Sequence, residues 1–418
     1  MKVFKFGGAS VKDAESIKNV CAIVKKEKSL VIVISAMGKT TNKLEHVVND
    51  YFNKEDYNAP LRNVFDYHKN ILHELFPDEK NEIWPTFQKI CDYVELYLKN
   101  DPEKDYDKTY DQIVPIGELL SSKILSSYLS LSGINTNWLD IRKILITDSR
   151  FRKAVVNWEE SEKNTQNAIG DSTAIFVTQG FIGGTSGNLM TTLGREGSDY
   201  SAAVLGNMLN AKDVTVWKDV PGILNADPRY FNDPKKLDHI SYKEAIELSF
   251  YGATIIHPKT IKPLQNKNIP LKVRSFMNPS EDGTMVNNDT TDDGLMPIFI
   301  YKPNQVLISL SRKDFDFLEE QHLSDVFDIL HSNKLEVNIM QNSAINFSIC
   351  LDYEKKRIEQ VVSDFQKNYR VLYNANLELL TIRHYDVTSL SEMTKNHEVL
   401  LEQKTRSTLK LLMRNLQE

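Results

Sequence analysis

The apolar positions at the start of the chain follow two different periods. Residues 2–6 form a short apolar run that contains one lysine, and residues 30–34 form a second run that is apolar throughout. Between them, residues 11–26 carry apolar side chains at helical spacing. Short apolar runs bounded by polar residues are typical of buried strands, whereas a spacing of three and four residues is typical of an amphipathic helix. The start of the chain therefore predicts a strand, a helix and a second strand.

A long helical stretch comes next. From about residue 41 to 110 the chain is rich in charged and aromatic side chains at helical spacing, with few strand signals. Tyrosine, phenylalanine and tryptophan are too frequent here for a disordered linker. We interpret this stretch as a helical insertion in the first domain.

Strand and helix patterns then alternate as far as residue 275. Predicted helices begin near Glu118, Ser198, Tyr242 and Lys259, and predicted strands cover residues 172–181, 213–217 and 270–276. Such alternation is typical of a layered α/β/α fold with a mainly parallel sheet. We place this domain at residues 1–280 and a polar, turn-rich linker at residues 281–295.

The pattern changes after the linker. Predicted strands and helices from residue 296 to about 368 occur in the order of a ferredoxin-like unit. Residues 377–382, 399–403 and 407–413 predict three further strands, with a short polar helix before the second, and resemble half of another such unit. We therefore divide residues 296–418 into a first unit, 304–372, and a truncated second unit, 296–303 with 373–418.

Composition narrows the class of protein. The chain has 418 residues, enough for two or three domains, and a net charge of −6, which argues against a nucleic-acid partner. Its three cysteines are scattered, so we predict a reducing compartment and neither a disulfide framework nor a zinc site. The first strand leaves no room for a signal peptide, and no apolar run approaches the ~20 residues of a membrane helix. We expect a cytoplasmic protein without membrane contact.

The end of the first strand carries chemistry that a buried strand does not need. Lys5 lies inside the apolar run, and Gly7, Gly8 and Ser10 follow before the helix. A strand, a glycine turn and a helix N-terminus direct backbone N–H groups at an anion, and Lys5 adds a positive charge to the same place. A tight turn with an exposed lysine is the alternative interpretation.

Two other polar stretches are less specific. Residues 35–42, SAMGKTTN, contain the letters GKT, but Val33 stands where a Walker A motif requires its first glycine. We therefore predict a strand-end loop in which Ser35 and Thr41 either contact an anion or form an ordinary turn. Glu118 lies in the first turn of a helix, where it is either a capping carboxylate or a ligand for an ammonium group.

The stretch TTLGREGSDYSAAVLG, residues 191–206, indicates a binding site more specifically than the two stretches above. Arg195 between two glycines suits bidentate recognition of a carboxylate. Ser198 is suited to cap the following helix, and Asp199 is expected to face the same site. A purely structural loop has little use for this combination.

A long irregular loop at residues 216–237 follows another predicted strand. It carries Asp219 and Arg229 among prolines and glycines. Irregular loops of this length in a compact domain are usually functional. We expect it to hold a nucleotide base and to place Arg229 on phosphate.

Seven motifs, in this order, resemble the aspartokinases of the amino-acid kinase family. They are KFGGAS, SAMGKTTN, GELLSS, QGFIGG, GREGSDYSA, DVPGILNADPR and FYGATIIHPKTIKPL. The resemblance covers residues 1 to about 280, and the C-terminal part is similar to the ACT regulatory domains of that family. It implies ATP-dependent phosphorylation of the L-aspartate side-chain carboxylate to 4-phospho-L-aspartate, the first step toward lysine, threonine, methionine and diaminopimelate. It also implies Mg²⁺ that arrives with ATP, and a homodimer or homotetramer formed through the ACT region.

The resemblance further implies roles for individual residues. Those implied in catalysis are Lys5, Gly7, Gly8 and Asp199. Those implied in aspartate binding are Ser35, Thr41, Glu118, Phe181, Arg195, Ser198 and Asp199, with Glu118 on the ammonium group and Arg195 on the α-carboxylate. Those implied in ATP binding are Lys5, Gly7, Gly8, Ser10, Lys218, Asp219, Asn225, Arg229 and Thr254. No side-chain cluster predicts a dedicated metal site.

The chain departs from the family pattern in both regions. Family members commonly carry lysine where Thr254 stands and often threonine where Lys218 stands, so we hypothesise that Lys218 supplies the missing charge. The implied effector segment contains Asn338, Ile339, Ser343, Ala344 and Ile345. The family commonly has acidic residues in place of Asn338 and Ala344, so an effector ammonium loses partners here unless the amides of Asn338 and Asn346 replace them.

Two other functions stay open at this stage. One is a kinase that acts on glutamate or acetylglutamate, and the other is a catalytically silent amino-acid sensor. Glu118 and Arg195 together favour a free α-amino acid as the ligand, and the retained Lys5 favours an active enzyme. Thr254 slightly favours the sensor.

Overall fold

The chain folds into two compact units. The computed structural model describes residues 1–99, 105–253, 256–314, 316–386 and 393–416. The first unit comprises Met1–Ile223, Lys236–Ile246 and Ile255–Thr290. The second comprises Leu224–Lys235, Glu247–Thr254 and Thr291–Glu418. The second unit therefore takes two short segments from the earlier part of the chain as well as the whole C-terminal region.

The helices and strands alternate through most of the chain. The α-helices of the described residues are α1 (Ala14–Val24), α2 (Thr40–Asn53), α3 (Asn58–Leu75), α4 (Ile83–Leu98), α5 (Tyr106–Ile113), α6 (Ile116–Leu131), α7 (Trp158–Ala168), α8 (Gly197–Met208), α9 (Tyr242–Tyr251), α10 (Pro258–Asn266), α11 (Glu320–Ser332) and α12 (Lys355–Asn368). The strands are β1 (Lys2–Phe6), β2 (Leu30–Ile34), β3 (Thr136–Trp138), β4 (Ile175–Gln179), β5 (Ile182–Gly184), β6 (Met190–Thr192), β7 (Val214–Lys218), β8 (Ile223–Leu224), β9 (Lys236–Leu237), β10 (His239–Ser241), β11 (Leu271–Ser275), β12 (Thr284–Asn287), β13 (Ile298–Arg312), β14 (Val337–Asn342), β15 (Asn346–Asp352), β16 (Tyr369–Arg383), β17 (His397–Lys404) and β18 (Thr408–Asn415).

The first unit is built on a mainly parallel sheet with the strand order β10-β12-β11-β7-β1-β2-β4-β3. β1 lies at its centre and pairs in parallel with β2 and β7, so that Lys5 lies opposite Val33 and Val216. The strands β2 and β4 are buried along their whole length, as expected for strands covered on both faces. Phe6 also stacks on Trp217 at a centroid distance of 5.8 Å, a contact worth about 0.5–1.5 kcal/mol beyond burial. The centre of the sheet is therefore a rigid support for Lys5.

The predicted α/β class is confirmed, and the stretch after residue 40 is helical as its spacing predicts. The helices α2 to α5 cover it, apart from short connections and residues 100–104, which lie outside the described residues. Their apolar stripes bury side chains such as Leu61, Val64 and Leu72. His68 is also fully buried, and burial lowers its pKa to about 4. In the part of the chain that the structure describes, no helix is long and apolar enough to cross a membrane.

The second unit contains an antiparallel sheet with the strand order β14-β15-β13-β16-β18-β17. The sequence β13, α11, β14, β15, α12, β16 is the predicted ferredoxin-like order. Both helices pack on one face, where Val326 and Leu330 of α11 and Val361 and Phe365 of α12 share a core with Ile308 of β13. The helices that follow the two inner strands β13 and β15 thus cover one face of the sheet.

The strands β13 and β16 are unusually long, and this length joins the two halves of the second unit. Each has 15 residues, and their pairing shifts register near Gln305. Beyond the shift, β16 pairs with β18 and β18 with β17, which gives the predicted strands of the truncated half. Most of the predicted short helix before β17 falls on residues 387–392, which lie outside the described residues.

Several short strands have no counterpart in the sequence pattern. Residues Thr284–Asn287, inside the expected linker, form β12, which pairs with β11 and β10. The hairpin of β5 and β6 has only three residues in each strand. Runs this short contain too few positions for a period to be recognised, and their pairing partners decide whether they form. The predicted boundaries of the first domain, 1–280, and of the linker, 281–295, stay predictions.

Candidate functional site

The candidate site lies at the carboxyl edge of the large sheet. The strands β1, β2, β4 and β7 run parallel in this sheet, so the residues that follow them emerge at the same edge. These residues are Gly7, Ser35, Gly180 and Asp219, each from a different predicted motif. In open α/β sheets this edge is where ligands bind. The fold thus brings together motifs that are far apart in the sequence.

Two lysines share one buried carboxylate at this edge. Lys5 Nζ lies 2.6 Å from Asp199 Oδ1, and Lys218 Nζ lies 3.8 Å from Asp199 Oδ2. Burial alone would raise the pKa of Asp199, but Lys5 and then Lys218 hold that pKa below its ordinary value. Asp199 is therefore an ionised anchor for two ammonium groups, and the three side chains together carry a net positive charge.

Glycines let the loops after β1 and β2 touch each other beside Lys5. A Cβ atom on Gly8 would lie 2.7 Å from the carbonyl oxygen of Gly38 and 2.8 Å from that of Ala36. The Gly38 N–H donates to the Gly8 carbonyl oxygen at 3.0 Å, and Gly38 has a φ of 54°, which favours glycine. Gly8 also begins a 3₁₀ turn that buries Ser10. The two loops are therefore held together through their backbones at this part of the edge.

Glu118 is a buried carboxylate, and the structure shows a hydrogen bond to one of its two oxygens. The Ala36 N–H donates to its Oε1 at 3.2 Å, whereas Oε2 has no hydrogen-bond partner among the described residues. Burial raises the pKa of Glu118 to about 8, against the opposing effects of the Ala36 N–H and the Lys5 ammonium. Its position is fixed because Ser121 Oγ, one turn along α6, donates to the Ser35 carbonyl oxygen at 2.7 Å. Oε2 can thus accept a hydrogen bond from a cationic group of a ligand.

Phe181 and Ser198 lie where β4 meets the start of α8. A Cβ atom on Gly180 would come within 2.6 Å of the Ser198 Cβ, so only glycine permits this approach. Phe181 has a φ of 70°, and its N–H donates to Ser201 Oγ at 3.0 Å. A residue other than glycine in this conformation costs of order 1–3 kcal/mol and is often found at a functional site.

Arg195 projects from a loop with two left-handed residues. Gly194 has a φ of 79° and Glu196 a φ of 53°. Glu196 Oε2 accepts from the His257 N–H at 3.1 Å, which holds the loop at the start of α8. The Arg195 side chain is exposed and has no hydrogen bond or ion pair within the described residues. Its guanidinium group is therefore available to a ligand.

The remaining predicted pocket residues differ in their surroundings. Thr41 is the second residue of α2 and is half-buried, while its neighbour Thr40 donates to the Met37 carbonyl oxygen at 2.7 Å. Asp219 is exposed in the turn after β7. Thr254 lies outside the described residues.

Asn225 and Arg229, two described residues predicted to bind ATP, belong to the second unit. The Asn225 amide donates to the Pro297 carbonyl oxygen at 3.1 Å, and its Oδ1 accepts from the Lys235 N–H at 2.7 Å. Arg229 forms a bidentate pair with Asp227, which holds the pKa of that carboxyl below its ordinary value. Both side chains are engaged within their own unit.

The predicted effector residues lie in two places: Ser343, Ala344 and Ile345 form the turn between β14 and β15, whereas Asn338 and Ile339 lie near the start of β14. The Asn338 amide already contacts the protein: its Oδ1 accepts from Lys302 Nζ at 2.8 Å, and its Nδ2 donates to Gln305 Oε1 at 2.9 Å. Ile339 is buried in the core, and Ile345 is partly exposed. Ser343 Oγ bonds to the Asn346 backbone within the turn, and the Ala344 carbonyl oxygen accepts from the Leu318 N–H at 3.1 Å.

One contact at the site was not predicted from the sequence. The Tyr67 hydroxyl, on α3 of the helical stretch, donates to the Lys12 carbonyl oxygen and lies against Gly38. It thereby braces both glycine loops from outside the sheet. Nothing near Tyr67 in the sequence marks it, because the contact is made by residues that lie far from it along the chain.

Within the described ranges there is no group of three or more histidine, cysteine, aspartate or glutamate side chains that could hold a metal ion.

Comparison with known proteins places the chain in a family. The profile of the amino acid kinase family matches residues 1–275. Lysine-sensitive aspartokinase 3 of Escherichia coli is 30% identical over 360 residues, which cover 84% of this chain and 78% of that protein. The bifunctional aspartokinase/homoserine dehydrogenase 1 of Zea mays is 34% identical over 68% of this chain, but the match spans only 32% of that longer protein.

A solved structure agrees with this assignment. The crystal structure of Escherichia coli aspartokinase III in complex with aspartate and ADP has a TM-score of 0.80 to this chain at 26% identity. The match covers 99% of this chain and 96% of that one. The fold, the ordered motifs and these matches agree, and the chain belongs to the aspartokinases of the amino acid kinase family.

Proposed function

We propose that the chain is an aspartate kinase that transfers the γ-phosphoryl group of ATP to the side-chain carboxylate of L-aspartate, forming 4-phospho-L-aspartate. The observation that carries this proposal is the free Oε2 of Glu118, buried close enough to Lys5 for the ammonium to affect its pKa. A buried carboxylate without a partner is unfavourable unless a cation completes it. The ammonium group of an amino acid is such a cation.

Arg195 supports recognition of the other end of the substrate. Its free guanidinium group can form a bidentate pair with the α-carboxylate, while Glu118 takes the ammonium group. Ser35, Thr41, Phe181 and Ser198 complete the pocket in this proposal. The substrate side chain then points toward Lys5.

The lysine pair supports phosphoryl transfer. A substrate carboxylate with a pKa near ~4 is ionised at neutral pH, so the reaction requires no general base. One carboxylate oxygen attacks the γ-phosphorus, the bond from that phosphorus to the bridging oxygen breaks, and ADP leaves with the electron pair. Lys5 and Lys218, both anchored by Asp199, neutralise the charge that develops on the phosphoryl oxygens.

ATP binding is proposed at the same edge. The N–H groups of Gly7 and Gly8, with Ser10, cradle the phosphates, and Lys218 and Asp219 lie at the adjacent strand end. Asn225, Arg229 and Thr254 are assigned to ATP by the resemblance alone. Mg²⁺ enters as part of the substrate MgATP.

Regulation, assembly, pathway and cellular location are also proposals. The antiparallel sheet of the second unit, with two helices on one face, supports an ACT-like regulatory region through which two or four chains associate. The product is proposed to lead toward lysine, threonine, methionine and diaminopimelate. A cytoplasmic location stays a prediction.

The test is an ATP-dependent hydroxamate assay with the full chain. Hydroxylamine traps an acyl phosphate, so aspartate should give an iron-binding hydroxamate and ADP in equal amounts. Glutamate and N-acetylglutamate serve as alternative acceptors. A preference for either of them would replace the proposed substrate, and absence of ADP formation with all three would favour a silent sensor.

A further inference from the structure

The side chain of Arg195 depends on its backbone for its position. It is exposed and makes no polar contact within the described residues, so no neighbouring side chain orients it. The loop that carries it, residues 193–197, leaves the short strand β6 and enters α8. The contacts that hold β6 therefore fix one end of this loop, and the bond from His257 to Glu196 fixes the other.

β6 is held by two consecutive side chains of α5. Asp111 is fully buried and accepts from the Thr192 N–H at 2.8 Å and from Thr192 Oγ1 at 2.8 Å. Gln112 is also buried and binds Met190 in both directions, donating to its carbonyl oxygen at 2.9 Å and accepting from its N–H at 3.2 Å. Both ends of a three-residue strand are thus tied to one helix.

The same carboxylate also fixes the segment beside β6. Asp111 Oδ2 accepts from the Arg152 N–H at 2.9 Å, and the Ala154 N–H donates to the Thr192 carbonyl oxygen at 3.0 Å. The Arg152 guanidinium group forms its ion pairs with Asp107 at 3.3 Å and Glu45 at 3.5 Å. Asp111 is therefore a buried carboxylate whose acceptors are used by backbone and hydroxyl donors and not by a cation.

A carboxylate at this buried position is energetically unfavourable. Burial raises the pKa of Asp111 to about 6, even though three hydrogen bonds oppose the change. A neutral side chain would avoid the penalty of burying a charge. Only a carboxylate, however, accepts all of these donors without presenting a donor of its own.

We propose that Asp111 and Gln112 are positioning residues that clamp β6 to α5 and thereby place Arg195 for the α-carboxylate of the substrate. This inference rests on the proposed function of Arg195. It gives α5 a part in substrate affinity, although neither Asp111 nor Gln112 needs to contact the substrate.

The test compares Asp111→Asn with Asp213→Asn, a matched change of a buried carboxylate that accepts from Lys272 and Thr215 at the start of β7. In Asp111→Asn we expect KM for aspartate to rise at least tenfold and KM for ATP to stay within twofold. Amide hydrogen exchange at Thr192 and Leu193 should accelerate. Asp213→Asn should leave both KM values within twofold of the unchanged chain.

Milder variants keep the test decisive if Asp111→Asn does not fold. Thr192→Val removes one hydroxyl donor and Gln112→Met removes the two bonds to Met190, and each should raise KM for aspartate about threefold. Equal changes in both KM values, or unchanged exchange at Thr192, would overturn the clamp. If the unchanged chain does not phosphorylate aspartate, the proposed function fails, and the exchange rates alone then decide whether Asp111 holds β6.

Discussion

At the scale of single residues, the site is organised by a carboxylate that the sequence pattern only partly explained. Lys5 inside a buried strand predicts a bound anion beside the glycine turn, and that stays a prediction, whereas the structure pairs Lys5 with Asp199 at 2.6 Å. The motif of Asp199 was recognised, but its pairing with Lys5 and Lys218 was not predicted. Long-range contacts of this kind depend on which strands are neighbours in the sheet, and a local pattern does not contain that information.

Replacement of Lys5 tests its proposed role in the transition state. In Lys5→Ala we expect kcat to fall about 10²–10³-fold, because a charge that acts mainly on the developing phosphoryl charge is lost. KM for aspartate should change much less. The control is Lys2→Ala on the same strand, which removes a part-exposed ion pair with Glu27 and a contact with the Phe4 ring, and both variants are compared by steady-state kinetics. An unchanged kcat would remove Lys5 from the mechanism.

Arg195 should give the opposite kinetic pattern. Its proposed partner is a carboxylate that does not react, so Arg195→Ala should raise KM for aspartate strongly and alter kcat little. Arg195→Lys should restore little affinity, since an ammonium group cannot form the bidentate pair. Normal kinetics of Arg195→Lys would show that the assigned role is wrong.

At the scale of elements, the hydrophobic periodicity of the sequence predicted the main strands and helices of the first unit. The long, apolar strands β1, β2, β4, β7 and β11 and the helices around them were anticipated. The strand β12 was missed because it has only four residues inside a polar, turn-rich stretch, and it forms by pairing with β10 and β11. The hairpin of β5 and β6 was missed because it is held largely by side chains of α5.

The contact between the two glycine loops gives a prediction for an element. Gly8→Ala should weaken ATP binding and lower the melting temperature, because its Cβ would meet two carbonyl oxygens that belong to backbone and cannot move aside. Gly187→Ala is the matched control, since among the described residues its Cβ would meet only the Thr185 hydroxyl, at 3.6 Å. Thermal unfolding and ATP titration of both variants decide the matter. Equal behaviour of the two would contradict the proposed close approach.

At the scale of the whole molecule, the sequence anticipated a second, truncated half in the C-terminal region but not how it is joined. The strands β13 and β16 continue through both halves of one sheet. The second unit also includes Leu224–Lys235 and Glu247–Thr254, which a division by sequence composition does not reveal. Segments that leave one unit and return to it carry no compositional boundary.

The engaged amide of Asn338 leads to a prediction about regulation. Its side chain is already bonded to Lys302, Gln305 and Asp352, so it is not free to receive an effector ammonium. Each charge-assisted hydrogen bond that is lost weakens binding by roughly 1.5–3 kcal/mol. We therefore expect lysine and threonine, singly and together, to leave the activity unchanged below about 1 mM. Inhibition by sub-millimolar lysine would show that the amides of Asn338 and Asn346 rebuild the site.

The free oxygen of Glu118 also bears on the stability of the molecule. The pKa of Glu118 is raised from 4.5 to about 8, so the folded chain holds a proton that the unfolded chain releases. Its contribution to the free energy of unfolding is therefore fully present below about pH 4.5 and declines as the pH rises through about 8. Glu118→Gln should flatten this decline and raise the melting temperature at pH 8, while binding of aspartate is lost.

The same group makes the chain depend on its ligand for thermal resistance. At pH 8 an amino-acid ammonium beside Oε2 replaces the proton, so aspartate should raise the melting temperature of the unchanged chain but not that of Glu118→Gln. A thermal-shift screen of amino acids at this pH would therefore identify the substrate without any measurement of turnover. The carboxylate that recognises the ligand is the one that makes the empty protein easier to melt.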